Sequence, residues 1–569
     1  MADNTQPLLL GGFEDGIADS PHKGITLLRN VDIESFPGAA RVVPKTTTNF
    51  HTSYTSTFTA VAASDICTSD SGVPNTGTAV KCTSSGTLPA GLTANTVYFI
   101  NKLSDTTFEL CTTIANANAG TQVDITDTGS GTHTVTTVNP GTINHIVKDG
   151  RTSDFFGQDS NGRIWYGSQT GRWLLLNNSA LDNAVVGSAA LANAAGNGIA
   201  LWKLLESAST YYLVSFRNAV IDIADVYGTS DKETPSWTNA WQALNSGAGS
   251  GNRHQPIVGQ DDIVYWVDDR YIGSLKENSG TTFAPGTSNT YTYNSQALDT
   301  PAGELLVCIE EQGANVLAGS SRTGKIYPWD RTSDSFNLPL ICTESNVQRL
   351  KNIGSKVMIL AGTAGNIYST NGSTVRFEKT LPRQVINQSM TLQSNVVTWG
   401  GVSSSGQGAF LFGAGVLTTA NSGVYKLYPD GRLVITNIPS SGAGNATAIY
   451  AGDDFFNIGF ASGAAYVDTS LYSSFEGVIQ WDFMRVATKV GKGTYSHLEC
   501  VIAKPSATGN VRVSYRTDTS SSFTTLATFA ADGSTTTFMS DIGLSDIENI
   551  QVQAEIDGAV ELLEVRLLP

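Results

Sequence analysis

Asn161-Gly162-Arg163-Ile164-Trp165-Tyr166 reads as a tight turn followed at once by a short strand that carries two aromatics. Asn and Gly tolerate positive φ, and the β-branched and aromatic residues after them suit a pleated strand. The same weak pattern returns at Asp261-Asp262-Ile263-Val264-Tyr265-Trp266, Thr323-Gly324-Lys325-Ile326-Tyr327, Gly365-Asn366-Ile367-Tyr368, Ser422-Gly423-Val424-Tyr425-Lys426 and Ser462-Gly463-Ala464-Ala465-Tyr466. With Phe216-Arg217-Asn218-Ala219-Val220 as a further copy, the mean interval is about 50 residues, close to one four-stranded blade. This predicts a β-propeller of six or seven blades over residues 139–475. A lone blade cannot bury both faces of its sheet, whereas a closed ring stacks each face on a neighbour. Trp165, Tyr265, Tyr327, Tyr368 and Tyr425 are accordingly expected to fill the space between blades rather than to stack on a ligand.

Working outward, the texture changes on both sides. After Gly477 come long alternating runs, Val478-Ile479-Gln480-Trp481-Asp482-Phe483, Asn510 to Tyr515, Ile550 to Ile556 and Val560 to Leu567, which predict a jelly-roll-like β-sandwich over 476–569. Residues 53–138, dense in Thr, Ser and Gly, predict a small inserted β-module with strands at 78–82, 96–100 and 107–110. Residues 1–52 read as an irregular arm with short strand candidates at Ile25-Thr26-Leu27-Leu28 and Ala40-Arg41-Val42-Val43. The arm either caps a sheet of its own chain or grips a neighbour. The expected fold class is all-β.

Composition agrees with that class and excludes others. The 569 residues are 40% hydrophobic and 15% charged, so the chain can bury a core, and 57 Gly with 18 Pro suit many turns. Acidic residues outnumber basic ones 50 to 34, a net charge of −16, and no basic run exists to neutralise phosphates. This argues against wrapping a nucleic acid, while the acidity either keeps a large surface soluble or lines a passage that repels a polyanion. No apolar run approaches a membrane span and the start lacks a secretory signal, so the expected product is soluble and made in the cytoplasm.

Candidate chemistry is sparse. Gly319-Ser320-Ser321-Arg322-Thr323-Gly324-Lys325 resembles a phosphate-binding loop, but Ile326 stands where a Ser or Thr would hold magnesium and a strand follows where a helix is needed, so a blade turn is expected. The acidic pairs Glu310-Glu311, Asp261-Asp262, Asp268-Asp269 and Asp453-Asp454 point to opposite faces of a strand or sit in turns, and no pair is placed to act as glycosidase carboxylates. Asp159 to Trp165 resembles the Asp-box turn of sialidases with one residue too many between Asp and Gly. His22, His51, His133, His145, His254 and His497 make neither a metal pair nor a triad. Cys67, Cys82, Cys111, Cys308, Cys342 and Cys500 lack zinc spacing. Cys308 reads as a buried thiol, and two of Cys67, Cys82 and Cys111 are close enough in sequence to pair. No enzyme activity, catalytic residue, cofactor or metal is expected.

Three segments carry a resemblance. Gly16-Ile17-Ala18, Ser20-Pro21, Gly24, Arg29-Asn30-Val31-Asp32-Ile33 and Phe36-Pro37-Gly38 are similar in order and spacing to the opening of tail structural proteins of tailed bacteriophages. Leu88-Pro89-Ala90-Gly91-Leu92 before Val97-Tyr98-Phe99-Ile100, closing with Gly129 to Val135, resembles a decoration module of phage virion proteins. The run from Tyr515 to Asp518 followed by Phe523-Thr524-Thr525-Leu526 is similar to C-terminal modules of phage tail proteins, and equally to a carbohydrate-binding sandwich. The resemblance implies a tail hub or nozzle subunit in the virion: a homo-oligomeric ring around the DNA exit channel that contacts adaptor and fibre proteins and lets DNA pass without specific binding. The alternative is a receptor-binding or fibre-like protein that recognises host surface glycan, with Trp481 and Tyr515 as exposed aromatics on one sandwich face.

Overall fold

The computed structural model describes residues 54–380 and 477–568 with interruptions, the longest at 177–195, and outside them the backbone of strands between 6 and 47 and between 401 and 468. Among these residues the chain is all-β apart from the short helix Ile114–Ala119 and one 3₁₀ turn. The strands make a propeller, a closed barrel inserted before it and a sandwich after it.

Seven antiparallel four-stranded units follow one another. Blade 1 is Ile143–Lys148, Phe155–Asp159, Ile164–Gly167 and Trp173–Leu175, and blade 2 is Gly196–Lys203, Tyr211–Arg217, Val220–Asp225 and Ser236–Ala243. Blade 3 is Pro256–Val258, Val264–Asp268, Tyr271–Glu277 and Tyr291–Asp299; blade 4 is Leu306–Gln312, Asn315–Ser320, Lys325–Trp329 and Leu340–Ile341. Blade 5 runs from Val347–Asn352 to Val375–Thr380, and blade 6 from Gly401–Val402 to Leu433–Thr436. Blade 7 takes Ala446–Ala451, Phe455–Phe460 and Gly463–Asp468, then borrows Thr46–Thr47 as its outermost strand. First strands touch their neighbours from blade 1 to blade 5, and the first strand of blade 7 touches those of blades 6 and 1. The first strands therefore ring the axis.

The inner blade strands, such as Phe155–Asp159 and Val357–Ala361, are buried on both faces, which is why their sequences read as nearly continuous apolar runs, whereas outermost strands such as Ser236–Ala243 are largely exposed. Along Val264–Asp268 every residue is buried: Val264 and Trp266 enter a cluster with Phe216 and Ile223 of blade 2, while Tyr265 and Val267 enter one with Ile309 and Tyr327 of blade 4. Each such large apolar side chain contributes about 1.5–3 kcal/mol. Tyr327 and Tyr368 also fill seams between blades. Trp165 departs from the expectation, because its cluster joins blade 1 to Phe99, Ile114 and Ala117 of the barrel rather than to another blade. Tyr425 lies on a strand whose side chains fall outside the described residues. Two glycines make room for rings on the paired strand. A Cβ on Gly273 would sit 2.2 Å from the Trp266 indole opposite it, and one on Gly167 would sit 2.0 Å from Phe155.

Residues 54–138 close a six-stranded barrel around Phe58, Val80, Ile100, Phe108 and Val135. Its helix is delimited by Thr113, whose side chain accepts from the Asn116 amide, and by Gly120 at φ 68°. Cys67, Cys82 and Cys111 are buried there as free thiols, so no pair forms. Burial pushes Cys82 up to about 12 and Cys111 to about 11.

The described strands of the first 52 residues belong to the sandwich and to blade 7. Gln6–Leu8 and Ala40–Val42 pair with Glu561–Leu568, Val31–Asp32 pairs with Ala40–Val42, and Ile25–Arg29 pairs with Gly477–Trp481. The sandwich is thus built from both chain regions rather than from 476–569 alone. One of its sheets holds Glu561–Leu568, Gly493–Ile502 and Thr537–Ile547; the other holds Gly477–Trp481, Asn549–Ile556, Asn510–Arg516 and Thr524–Ala530. Between them lies a core with Val31, Ala40, Leu498, Val513, Ile550 and Leu562. Arg29 also pairs with Ile435, which makes the second sheet continuous with blade 6.

Candidate functional site: blade turns and the propeller axis

The recurring turn is a polar joint. In blade 1, Asp159 ends the second strand, and its buried carboxylate accepts from the amides of Asn161 (2.9 Å), Arg163 (3.0 Å) and Gly141 (3.1 Å) and from Trp165 Nε1 (3.1 Å). Burial raises the Asp159 carboxyl above its ordinary range, while Arg163 and these donors oppose that shift. In blade 3 the carboxylate of Asp261 accepts from Tyr265 OH at 2.8 Å, and in blade 4 that of Glu304 accepts from Tyr327 OH at 2.7 Å and Thr323 Oγ1 at 2.7 Å. Glu344 accepts from Tyr368 OH and Asn366 Nδ2 in blade 5. Four motif aromatics therefore share one device: the ring fills a hydrophobic seam and a carboxylate holds its polar tip. The sequence showed the aromatics but not Glu304 or Glu344, which come from the connections before their blades.

Other polar ties cross between blades. Gln158 of blade 1 donates to Ser215 Oγ (2.9 Å) and Phe216 O (3.1 Å) of blade 2 and accepts from the Gly198 amide (2.8 Å). Arg331 of blade 4 spans its own Glu311 and, at 2.9 Å, Asp261 of blade 3. Asp268 is buried against His254, Nδ1 to Oδ1 3.6 Å, and accepts the Asn245 amide at 2.5 Å.

The structure brings Asp261 and Glu311, from two of the acidic pairs, together on Arg331 and sets Asp268 against His254, and it leaves the other described candidate residues apart. Gly319 to Lys325 forms the turn between the second and third strands of blade 4, with Lys325 Nζ 3.6 Å from Glu304. Glu310 and Glu311 lie on the first strand of blade 4, where Lys351 Nζ approaches Glu310 at 3.5 Å and Arg331 takes Glu311. Asp453-Asp454, His22 and His51 lie outside the described residues. His133 bonds Ser84 and Thr128 within the barrel, and His497 pairs with Asp541 at 3.1 Å on the sandwich. Among the described residues no group of three or more His, Cys, Asp or Glu could hold a metal, and no helix is long and apolar enough to cross a membrane. Trp481 is not an exposed aromatic: it is 4% exposed inside the sandwich core, because Gly477–Trp481 is covered by the facing sheet, and Tyr515 packs partly against the same core. The aromatics nearer that surface are Phe483 and Phe523, whose rings lie 5.8 and 4.7 Å from the Arg516 guanidinium.

In the first strand of blade 1, His145 is the notable group. Its Nδ1 is shut off from solvent and has no hydrogen-bond partner. Burial, then Arg349 and Lys351, pulls its pKa down to about 3, so the ring is neutral. Arg349 and Lys351 lie on the first strand of blade 5, which is not adjacent to blade 1.

No protein-family model and no curated protein matches the chain. Among solved structures it is similar to Chaetomium thermophilum Raptor (13% identity, TM-score 0.41, 58% of this chain), to the computationally designed Ika8 protein (13%, 0.35, 70% of this chain and 98% of that one) and to the β-propeller domain of Myceliophteria thermophila Cps50 (Swd1) (11%, 0.37, 58% and 98%). The chain spans only 28% of the Raptor chain, and TM-scores this low carry nothing further.

Proposed function

We propose that this protein is a structural subunit of a bacteriophage tail, of the hub or nozzle type, that assembles as a closed ring around the DNA exit channel. The observation that carries the reading is the place of the residues that resemble phage tail proteins. Arg29 and Val31–Asp32 belong to strands that join the sandwich to itself and to blade 6, and Thr46–Thr47 closes blade 7 just after them. A subunit loaded by passing DNA benefits from modules locked this way, since separating them requires breaking sheet pairing rather than pulling on a linker. The net charge of −16 supports the same reading, because a negative lumen keeps a polyanion moving. With the described N-terminal strands committed to their own chain, ring contacts come from other surfaces, in heterologous cyclic fashion.

Native mass spectrometry checked by light scattering tests the proposal. A closed ring, alone or with purified tail adaptor proteins, is the expected result. A protein that stays monomeric at high concentration and binds no virion component would overturn it, and a stable trimer would favour a fibre or receptor-binding role.

A further inference from the structure

We propose that the free edge of the sandwich strand Thr537–Ile547 is a docking site for an extended segment of another protein in which apolar and basic residues alternate. The strand ends its sheet: it pairs with Gly493–Ile502, and among the described residues no strand pairs with its other side. Thr537–Asp541 is its regular part, running opposite Val501 to His497 without a shift of register. Beyond it the pairing is interrupted twice, around Gly543 at φ 57° and Asp546 at φ 59°. The Ile502 amide donates to Thr536 O at 2.8 Å, which sets the phase of the ladder. Phe538 and Ser540 therefore direct their backbone groups into the sheet, while Thr537, Met539 and Asp541 turn theirs outward.

The side chains of this edge are as unfinished as its backbone. Phe538 faces the core beside Phe529, with ring centroids 5.8 Å apart, yet it is only half-buried, and Met539 on the opposite face is 58% exposed. Neither Lys nor Pro blunts Thr537–Asp541, the two residues that most often keep an edge from accepting a further strand. A strand added there pairs three outward-facing residues and covers Phe538 and Met539.

Charge selects the occupant. Asp541 stands on the same face as Met539 with its side chain 92% exposed, and the turn before the strand carries Asp532. No Lys or Arg occurs between Arg516 and Arg566, a stretch that holds the edge strands of both sheets, Thr524–Ala530 and Thr537–Ile547. A second copy of the same edge would set acid against acid, so pairing between copies is disfavoured. The complementary segment carries Lys or Arg on the face of Asp541 and apolar residues on the face of Phe538, which in a strand means strict alternation. The inference goes beyond the tail reading and stands on this edge alone.

The test uses the whole chain and a dye-labelled synthetic peptide that alternates Val and Lys. A Val–Glu peptide and the Val–Lys peptide interrupted by Pro serve as controls, and fluorescence anisotropy reads binding. Saturable binding of the Val–Lys peptide, at least tenfold tighter than either control, is the expected result. Met539→Pro removes an outward amide without removing a ladder bond, so it should weaken binding at least tenfold and keep the sandwich folded. Asp541→Lys should reverse the preference between the Lys and Glu peptides. Hydrogen exchange of the unmodified protein should show new protection at Thr537, Met539 and Asp541 when peptide is bound, and it decides the question if Met539→Pro does not fold. Absence of saturable binding overturns the proposal. Equal binding of the Pro-interrupted peptide, or unchanged affinity in a folded Met539→Pro, reduces the effect to nonspecific charge and also overturns it. A folded Asp541→Lys that still prefers the Lys peptide overturns the choice of a basic partner, and protection gained only elsewhere overturns the choice of edge. None of these outcomes depends on oligomeric state, so failure here leaves the ring reading standing.

Discussion

The barrel and the propeller are both closed β-structures, yet they close in different ways. All six barrel strands come from residues 55–137, and its core is filled from the same stretch. Blade 7 of the propeller is complete only when Thr46–Thr47 pairs with Gly463–Asp468, more than four hundred residues away, and the sandwich is equally dependent on strands from residues 6 to 42. Local closure costs little chain entropy and forms quickly, whereas distant closure must organise the intervening chain first. The difference teaches that the inserted module is self-sufficient while the two larger bodies hold each other shut.

Removing residues 1–47 should break the comparison open. Hydrogen exchange should show protection lost over 446–468 and 477–568 and retained over 55–137, with Cys67 and Cys82 still unreactive to thiol reagents; equal loss in the barrel would show that the barrel is not self-sufficient. Acid is the next lever. The folded pKa of His145 lies below its ordinary 6.5, at about 3, so its contribution to stability is complete above pH 6.5 and is lost as pH falls towards 3. The propeller should lose on the order of a few kcal/mol by pH 4, and His145→Gln should flatten that acid limb in denaturant titrations followed by pH.

Smaller effects sharpen the contrast within the ring. Asp159→Asn replaces one of two accepting oxygens with a donor that would face donors it cannot pair, so urea unfolding should show a loss of about 2–4 kcal/mol. Gly273→Ala pushes a methyl into the Trp266 indole and should cost about 1–3 kcal/mol, with tryptophan fluorescence reporting the displaced ring. On the sandwich surface, Arg512→Gln removes a partly exposed pair with Glu555 and should change the melting free energy by less than about 1 kcal/mol.

How much of this was legible follows from what each signal measures. The blade repeat was readable because turn residues and aromatics sit close together, but its phase was not. Asp261 to Trp266 marks the first hairpin of blade 3, whereas Asn161 to Tyr166, Thr323 to Tyr327 and Gly365 to Tyr368 mark second hairpins, which accounts for the uneven intervals. The second turn of blade 3 is Asp269-Arg270, with Tyr271 after it. The strand candidates at Ile25 and Ala40 were visible from their apolar character, yet nothing local announces a partner such as Trp481 or Leu562. Glu304 and Glu344 were invisible for the same reason: the fold, not neighbourhood in sequence, brings each to its aromatic, Tyr327 or Tyr368. Trp481 misled because an alternating strand does not say which face is covered.

The borrowed strand Thr46–Thr47 also sets a clock on synthesis. At roughly 5–20 residues per second the ribosome needs about 20–80 s to deliver residue 468 after residue 47 has emerged. For most of that time the barrel, which follows directly in the sequence, has already been made, while the strand beside it waits with its backbone groups unpaired and open to other partners. Until residue 468 emerges, that edge is a place where another chain's strand can add in its stead.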